Sequence, residues 1–192
     1  MKRIAAFDFD GTITKKDTLL EFLKFTHGGR YYIYLLILSP MLLTFKLGLI
    51  KNYKAKQILF SFFYKGWNIN KFNSFCENFT KTIEIRPKAL NAIKKHIENK
   101  DQIVIISASM ENWLCPWAKL HGINSVLATQ IEVKEEKITG RFLSKNCYGT
   151  EKVNRLSRLL PIRTDYYLTA YGDSKGDKEL LEYADEGYLK NF

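Results

Sequence analysis

Two aspartates separated by one residue follow the first apolar run of the chain. Asp8 and Asp10 belong to the motif DFDGT at residues 8–12, and the run 3–9 has the composition of a buried strand that opens into a loop. Alternate side chains of an extended chain lie on the same side, so both carboxylates face one point, and Gly11 permits a tight turn. Like charges held close together are unfavourable unless a cation or a reaction uses them. The pair therefore predicts a catalytic or metal-binding site.

Two further apolar runs, at 102–109 and 167–174, also end in polar residues. Ser107 stands near the end of the first, and its hydroxyl can donate a hydrogen bond to a phosphoryl oxygen. The second leads into GDSKGD, where Asp173 and Asp177 offer hard oxygen ligands of the kind that Mg²⁺ accepts. Because parallel strands end at one edge of a sheet, we expect these three strand ends to converge on one site.

A lysine near the end of the chain can add a positive charge to this site. Lys152 lies in the first turn of a helix predicted at 151–160, just after Gly149. An ammonium group at that position can bind a phosphate, although a lysine taken alone is more often a surface residue.

The remaining pattern predicts an α/β fold with a doubly wound, mainly parallel sheet. Helical spacing at 111–121 and 151–160 alternates with the apolar runs, as a doubly wound sheet requires. The stretch 130–142 alternates apolar and polar residues around a charged turn, which predicts a small β-hairpin beside the main sheet.

The segment 15–84, called the cap segment below, does not follow this alternation. It is rich in aromatic residues, has mainly helical periodicity, and contains 11 basic and 4 acidic residues, a net charge of +7 out of +10 for the chain. We expect a helical cap inserted into a catalytic core made of 1–14 and 85–192. A local positive field attracts anionic partners such as phosphate esters, acidic lipids or nucleic acid, but surplus surface lysines would give the same composition.

Taken in order, DFDGT, the strand-terminal serine, the lysine and GDSKGD resemble the four signature motifs of the haloacid dehalogenase-like hydrolase superfamily. The resemblance covers the whole chain. Within the superfamily the chain is most similar to the phosphoserine phosphatase-like branch and, in that branch, to bacterial phosphatidylglycerophosphatases of the C type. It implies a Rossmann-like core with an inserted helical cap, and a Mg²⁺-dependent phosphatase that acts on phosphomonoesters.

The resemblance also implies roles for the two leading aspartates. Asp8 would be the nucleophile that forms a phospho-aspartyl intermediate. Asp10 would protonate the leaving oxygen and then activate water, while its backbone carbonyl would be a metal ligand. Dehalogenases of similar fold lack an acid at the position of Asp10 and need no metal, so its presence favours phosphate esters as substrates.

Five other residues receive roles from the same resemblance. Thr12, Ser107 and Lys152 would bind the transferring phosphoryl group. Asp173 would be a ligand of Mg²⁺, and Asp177 would support the metal site from its edge.

Substrate choice is less constrained by the motifs. Phosphoserine phosphatases use an acidic residue shortly after the first motif and an arginine of the cap to bind the amino-acid end of the substrate. Asp17 stands where that acid would be and is a candidate substrate-binding residue. Arg30 is the only arginine of the cap segment, and its position does not match that clamp. A lipid phosphate such as phosphatidylglycerophosphate and a soluble metabolite such as phosphoserine therefore both remain candidates.

An uncharged run at 31–45 leaves three interpretations open. Fifteen helical residues would span about 22 Å, less than the ~30 Å of a hydrocarbon core, and Ser39-Pro40 would break the helix, which disfavours a transmembrane span. The run could form a pair of buried cap helices. It could also form an interfacial element that docks on an anionic membrane and presents a lipid phosphate to the site.

The remaining features concern location and rival functions. The three cysteines, Cys76, Cys115 and Cys147, form no CxxC pair, and acidic residues near the N-terminus interrupt any signal-peptide core. We therefore expect a cytoplasmic protein. If the cap docks on a membrane, the protein would make peripheral contact with its inner face. A nucleic-acid-binding module would leave the ordered motifs unexplained, so nucleic acid is not an expected partner. A catalytically silent scaffold is disfavoured because every expected catalytic side chain is present.

Overall fold

The computed structural model describes residues 1–190. Its strands are β1 (Lys2–Phe7), β2 (Gln102–Met110), β3 (Ser125–Thr129), β4 (Ile131–Lys134), β5 (Lys137–Phe142), β6 (Tyr166–Gly172) and β7 (Glu186–Leu189). Its helices are α1 (Thr18–His27), α2 (Arg30–Ile37), α3 (Ser39–Lys46), α4 (Asn52–Tyr64), α5 (Ile69–Thr80), α6 (Pro87–Glu98), α7 (Glu111–Leu120), α8 (Thr150–Leu159) and α9 (Lys178–Tyr183).

Five parallel strands form the central sheet in the order β3-β2-β1-β6-β7, which confirms the predicted doubly wound α/β fold. From β1 the chain extends the sheet outward through β2 and β3, and it then returns to add β6 and β7 on the other side. The direction of winding reverses between β1 and β6, which is where open α/β sheets bind ligands at their carboxyl edge. Phe7 pairs with Ile105 and with Tyr171, so the ends of the three predicted strands lie side by side.

The sheet is buried on both faces. Ala5 and Phe7 of β1 belong to the core on the side of α6 and α7, whereas Ile4 and Ala6 belong to the core under α8 and α9. A strand that is covered on both faces has no polar side, and this explains why β1 is a continuous apolar run.

The cap segment folds into the five helices α1–α5, and its interior is aromatic. Phe22 of α1 contacts Tyr64, Phe72 and Phe79, with ring centroids 5.1–5.5 Å apart. It also lies 4.9 Å from Trp113 of α7, measured between ring centroids. The aromatic interior of the cap segment is therefore continuous with the core beside the sheet.

The segment by which the chain leaves the sheet after β1 lies next to the segment by which it returns before α6. Thr14 and Ile85 form an antiparallel bridge, and the Lys15 N–H donates to the Glu84 carbonyl at 3.0 Å. This crossing lies at the predicted limits of the cap segment, but the division into cap and core remains a prediction.

The predicted hairpin is formed by β4 and β5, and it contacts the cap segment as well as the core. The Gly66 N–H donates to the Ile138 carbonyl at 2.8 Å, and the Ile138 N–H donates to the Trp67 carbonyl at 2.9 Å. The hairpin therefore links the loop after α4 to the part of the chain that follows the cap segment.

The uncharged run at 31–45 is divided between α2 and α3, which meet at Leu38 immediately before Ser39-Pro40, as the proline predicts. No residue within either helix is buried. Leu36 is 74% exposed and Leu43 is 57% exposed, so the interpretation as a buried helix pair is wrong. Within residues 1–190, no helix has the length and apolar character needed to cross a bilayer.

Candidate active site

Asp8 lies at the carboxyl end of the central strand, where its backbone N–H donates to the Tyr171 carbonyl at 2.9 Å. Its carboxylate is buried, and both oxygens have partners. Lys152 Nζ donates to Oδ1 at 2.6 Å, and the Thr12 hydroxyl donates to Oδ2 at 3.2 Å. The sheet therefore holds the predicted nucleophile in one orientation, against two of the residues predicted to bind phosphate.

Lys152 joins two of the predicted acidic residues. It lies in the first turn of α8, its side chain is 3% exposed, and its ammonium also donates to Asp177 Oδ1 at 2.5 Å. The other oxygen of Asp177 accepts the N–H groups of Asp173 and Ser174 at 3.2 and 3.0 Å. Asp177 thus positions both the lysine and the loop that carries Asp173.

Burial and charge act in opposite directions on this pair. The pKa of Asp8 is raised to about 7 on balance, because burial and the nearby Asp177 raise it by more than Lys152 lowers it. For Lys152, burial lowers the pKa, but the two carboxylates outweigh burial and the net pKa is raised. The lysine is therefore charged and partly offsets the cost of holding two acids in a buried site.

Three carboxylates form a cluster that could hold a metal ion. Asp8, Asp173 and Asp177 each place an oxygen within 4.8 Å of the others. Burial raises the pKa of Asp173, and Asp177 adds to the increase, so the ionised cluster is under electrostatic strain that a cation would relieve. Hard carboxylate oxygens are suitable ligands for Mg²⁺. The carboxylate of Asp10 is not part of this cluster, so its predicted metal contact rests on its backbone carbonyl.

The carboxylate of Asp10 is held by residues that the sequence analysis did not identify. The backbone N–H and the hydroxyl of Thr18 donate to Oδ1 at 2.9 and 2.6 Å, and the Ser109 hydroxyl donates to Oδ2. Trp113 Nε1 in turn donates to the Thr18 hydroxyl at 3.1 Å. Ser109 could have been found, because it lies two residues after Ser107 on the same strand and so on the same face.

Ser107 is buried at the end of β2, and its hydroxyl accepts the Ser109 N–H at 3.0 Å. It borders the same cleft as Asp8 and Lys152. The structure therefore brings the predicted phosphate-binding serine and lysine into the same cleft as the predicted nucleophile.

The cleft above these residues has a volume of about 540 Å³, and the cap segment supplies its upper wall. The floor is polar and includes Asp8, Asp10, Ser107, Lys152, Asp173 and Asp177. The wall is mostly apolar and includes Leu19, Leu20, Leu42, Phe45, Ala55 and Leu59. A phosphate held at the floor would therefore place the rest of its molecule against an apolar surface.

Five polar residues of the cap segment also line the cleft, namely Lys15, Lys16, Asp17, Asn52 and Lys56. Asp17 is the N-cap of α1, and its carboxylate accepts the Leu20 N–H at 3.1 Å. Lys56 of α4 lines the cleft as well, but the sequence analysis did not identify it. Desolvation and the nearby Asp10 raise the pKa of Asp17, and Lys56 lowers it. Arg30 begins α2 and does not line the cleft in the described part of the chain.

Comparison with known proteins agrees with the geometry. The family model of the haloacid dehalogenase-like hydrolases matches residues 5–182. Protein CicA of Caulobacter vibrioides is 33% identical over 192 residues, covering 96% of this chain and 85% of that protein.

Two solved structures show the same fold at low sequence identity. A protein of unknown function from Bordetella pertussis superposes with a TM-score of 0.84 at 19% identity, covering 95% of this chain and 87% of that chain. A phosphoserine phosphatase in the form of a phospho-aspartyl intermediate analogue superposes with a TM-score of 0.65 at 20% identity, covering 95% and 83%. The chain therefore belongs to the haloacid dehalogenase-like hydrolases and has a fold that is also found in phosphoserine phosphatases.

Proposed function

We propose that the protein is a Mg²⁺-dependent phosphomonoester hydrolase that forms a phospho-aspartyl intermediate on Asp8 and acts on a lipid phosphate such as phosphatidylglycerophosphate. The observation that carries the chemistry is the buried Asp8 carboxylate, bound by Lys152 and adjacent to the oxygens of Asp173 and Asp177. The Asp8 carboxylate attacks phosphorus and displaces the substrate oxygen, and water then attacks the acyl phosphate and regenerates the carboxylate.

The residues around Asp8 position the transferring phosphoryl group. The hydroxyls of Thr12 and Ser107 and the ammonium of Lys152 lie at the floor of the cleft and can bind its oxygens. Asp8, Asp173 and the backbone carbonyl of Asp10 would hold Mg²⁺, with Asp177 at the edge of the metal site. When bound, the ion would neutralise phosphate charge that otherwise repels the nucleophile.

In this proposal Asp10 transfers the protons of both steps. It donates a proton to the leaving oxygen in the first step and accepts one from the attacking water in the second. Thr18 and Ser109 fix the orientation of its carboxylate from the cap segment and from β2 respectively. This arrangement makes proton transfer depend on α1 lying over the cleft.

The lipid substrate is supported by the apolar character of the cap segment. The exposed residues of α2, α3 and the loop that follows include Tyr32, Ile33, Leu36, Ile37, Leu43, Leu47 and Leu49. Exposed apolar surface bordered by basic residues is typical of a membrane-docking element, and Lys46 ends α3 while Lys51 follows it. We propose that this surface docks on the anionic inner face of a membrane and leaves the protein cytoplasmic and peripheral.

A soluble metabolite such as phosphoserine is the second candidate. It is favoured by the fold shared with a phosphoserine phosphatase and by Asp17, whose carboxylate lines the cleft and could bind an amino group. The two candidates differ in what the apolar wall contacts. The lipid would place its apolar part against the wall, whereas phosphoserine has no apolar part that could contact it.

The experiment measures phosphate release from p-nitrophenyl phosphate, phosphoserine and phosphatidylglycerophosphate in mixed micelles, with Mg²⁺ and with EDTA. We expect Mg²⁺-dependent release that is fastest from the lipid, and no turnover by Asp8→Asn. Selective release from phosphoserine would replace the lipid with the soluble candidate. Phosphate release by Asp8→Asn at the wild-type rate would rule out Asp8 as the nucleophile.

A second assay tests the docking surface. Leu36→Glu with Leu43→Glu should abolish sedimentation with vesicles that contain anionic lipid, because each substitution places a charge on the apolar surface. Leu159→Glu is the control, since Leu159 is an exposed leucine of α8, outside the cap segment. Both proteins should hydrolyse p-nitrophenyl phosphate at the wild-type rate. Unchanged sedimentation of the double variant would remove the membrane contact from the proposal.

A further inference from the structure

Four lysines line the catalytic cleft, and they differ in their partners. Lys152 is bound by the carboxylates of the floor. Lys15 and Lys16 lie within 3.9 Å of glutamates of the cap segment. Lys56 forms no ion pair with any residue in the described range 1–190. Lys56 is therefore the cleft lysine whose charge is left for a ligand.

Lys56 lies at the rim of the phosphoryl site. Its ammonium donates to the Ala108 carbonyl at 2.8 Å, and Ala108 stands between Ser107 and Ser109, which both belong to the site. This single bond leaves further N–H groups of the ammonium for other acceptors. Because Asp8 attacks from the floor and the leaving oxygen departs in line on the opposite side, the leaving group extends toward the wall that carries Lys56.

The surroundings of Lys56 strengthen its attraction for an anion. Its side chain is half-buried, while Ala55 and Leu59 of the same helix are buried. An ionic contact is stronger in such partly desolvated surroundings than at an open surface. Asp17 is the acidic residue on this wall whose pKa Lys56 lowers. Its carboxylate, however, already accepts the Leu20 N–H in the first turn of α1.

We infer that Lys56 is a specificity-determining residue whose ammonium binds a second anionic group, carried by the leaving group of the phosphomonoester. This inference rests on the proposed phosphatase function and deepens it. The phosphodiester of a phosphorylated glycerophospholipid and the carboxylate of a phosphorylated amino acid share the required chemistry. A simple monoester such as p-nitrophenyl phosphate or phosphatidic acid has no such group.

The experiment compares kcat and KM for four substrates in the Mg²⁺-loaded enzyme. Phosphatidylglycerophosphate and phosphatidic acid form the lipid pair with and without a second anion, and phosphoserine and p-nitrophenyl phosphate form the soluble pair. Three variants of Lys56 are compared. Lys56→Met removes the charge but keeps the apolar stem, and Lys56→Gln replaces it if Lys56→Met does not fold. Lys56→Arg keeps the charge. Lys54→Met is the matched control, because Lys54 is on the same helix but is exposed and outside the cleft.

We expect Lys56→Met to raise KM about 10- to 100-fold for whichever second-anion substrate the wild type prefers, the range for losing a charge-assisted hydrogen bond. The same variant should change kcat/KM for the matched simple monoester by less than about threefold, and Lys56→Arg should restore most of the preference. The lipid and soluble pairs show whether a phosphodiester or a carboxylate supplies the anion.

Two results would overturn the inference. An equal loss of kcat/KM for simple and second-anion substrates would show that Lys56 only holds the cap segment against the Ala108 carbonyl. A wild-type enzyme that hydrolyses the second-anion substrates no better than the simple ones would show that no such subsite operates. Failure of the proposed function gives a different result, because the wild type would then not hydrolyse p-nitrophenyl phosphate with Mg²⁺.

Discussion

Replacing Lys152 by methionine tests whether its ammonium compensates the buried acids of the site. The ammonium lies 2.6 Å from Asp8 Oδ1 and 2.5 Å from Asp177 Oδ1, and its side chain is 3% exposed. Methionine keeps most of the apolar stem, so the main change is the loss of the positive charge. Breaking a buried ion pair by removing one partner costs about 3–5 kcal/mol. In a chain of this size about 1 kcal/mol corresponds to roughly 2–4 °C, so the expected fall in Tm is about 6–20 °C.

Added Mg²⁺ should reverse part of this loss. Without Lys152 the carboxylates of Asp8 and Asp177 carry uncompensated charge, so they should attract a divalent cation more strongly than in the wild type. A ligand present at 100 times its Kd stabilises the folded state by about 2.7 kcal/mol. We therefore expect Mg²⁺ to raise the Tm of Lys152→Met by several degrees more than that of the wild type.

The assay is thermal unfolding followed by circular dichroism, first in EDTA and then in saturating Mg²⁺. Lys178→Met is the control, because Lys178 forms an exposed pair with Glu182 at 3.7 Å, and such pairs contribute about 0–1 kcal/mol. A Lys152→Met protein that melts within 2 °C of the wild type in EDTA would refute the reasoning, since the buried acids would then not depend on the ammonium.

Three further predictions concern the loop, the general acid and the cysteines. Gly11→Ala should abolish turnover, because Gly11 has a φ of +78° and an added Cβ would collide with the Asp173 carboxylate. Gly66→Ala is the control, because Gly66 has a φ of +84° but open space around the position of the added Cβ. It should keep activity and lose only about 1 kcal/mol of stability. Ser109→Ala should lower kcat about tenfold with little change in KM, because Asp10 keeps its two bonds to Thr18; an unchanged kcat would show that the Ser109 contact does not matter. Native alkylation followed by mass spectrometry should modify Cys115 alone, because Cys76 and Cys147 are fully buried and burial raises the pKa of Cys147 to about 11.

The clustering of the acidic residues at the floor of the cleft was predictable because each of them follows an apolar strand. A parallel sheet brings the ends of such strands together, so the order of apolar runs and aspartates along the sequence predicts that Asp8, Asp10 and Asp173 lie at one edge. The outer strands were not predicted. β7 has four exposed residues and includes Gly187, so neither burial nor alternation marks it as a strand in the sequence.

The residues that the sequence analysis missed are those whose role depends on tertiary contacts. Thr18 reaches Asp10 only because α1 lies over the end of β1, a placement that no local pattern records. Lys51, Lys54 and Lys56 are equivalent as members of a basic, helical segment. Only the packing of α4 shows that Lys56 turns toward Ala108 whereas the other two remain exposed.

The position of α3 connects the docking surface to the cleft. Leu42 and Phe45 line the catalytic cleft, whereas Leu43 and the following Leu47 are exposed to solvent. Exposed apolar side chains that form a patch mark a surface that another molecule covers, and the described chain does not cover those of α3. A soluble substrate would explain the inward residues but give no reason for the outward ones. The proposed lipid substrate would account for both, because a helix that rests on the membrane with one side would guide the headgroup into the cleft with the other.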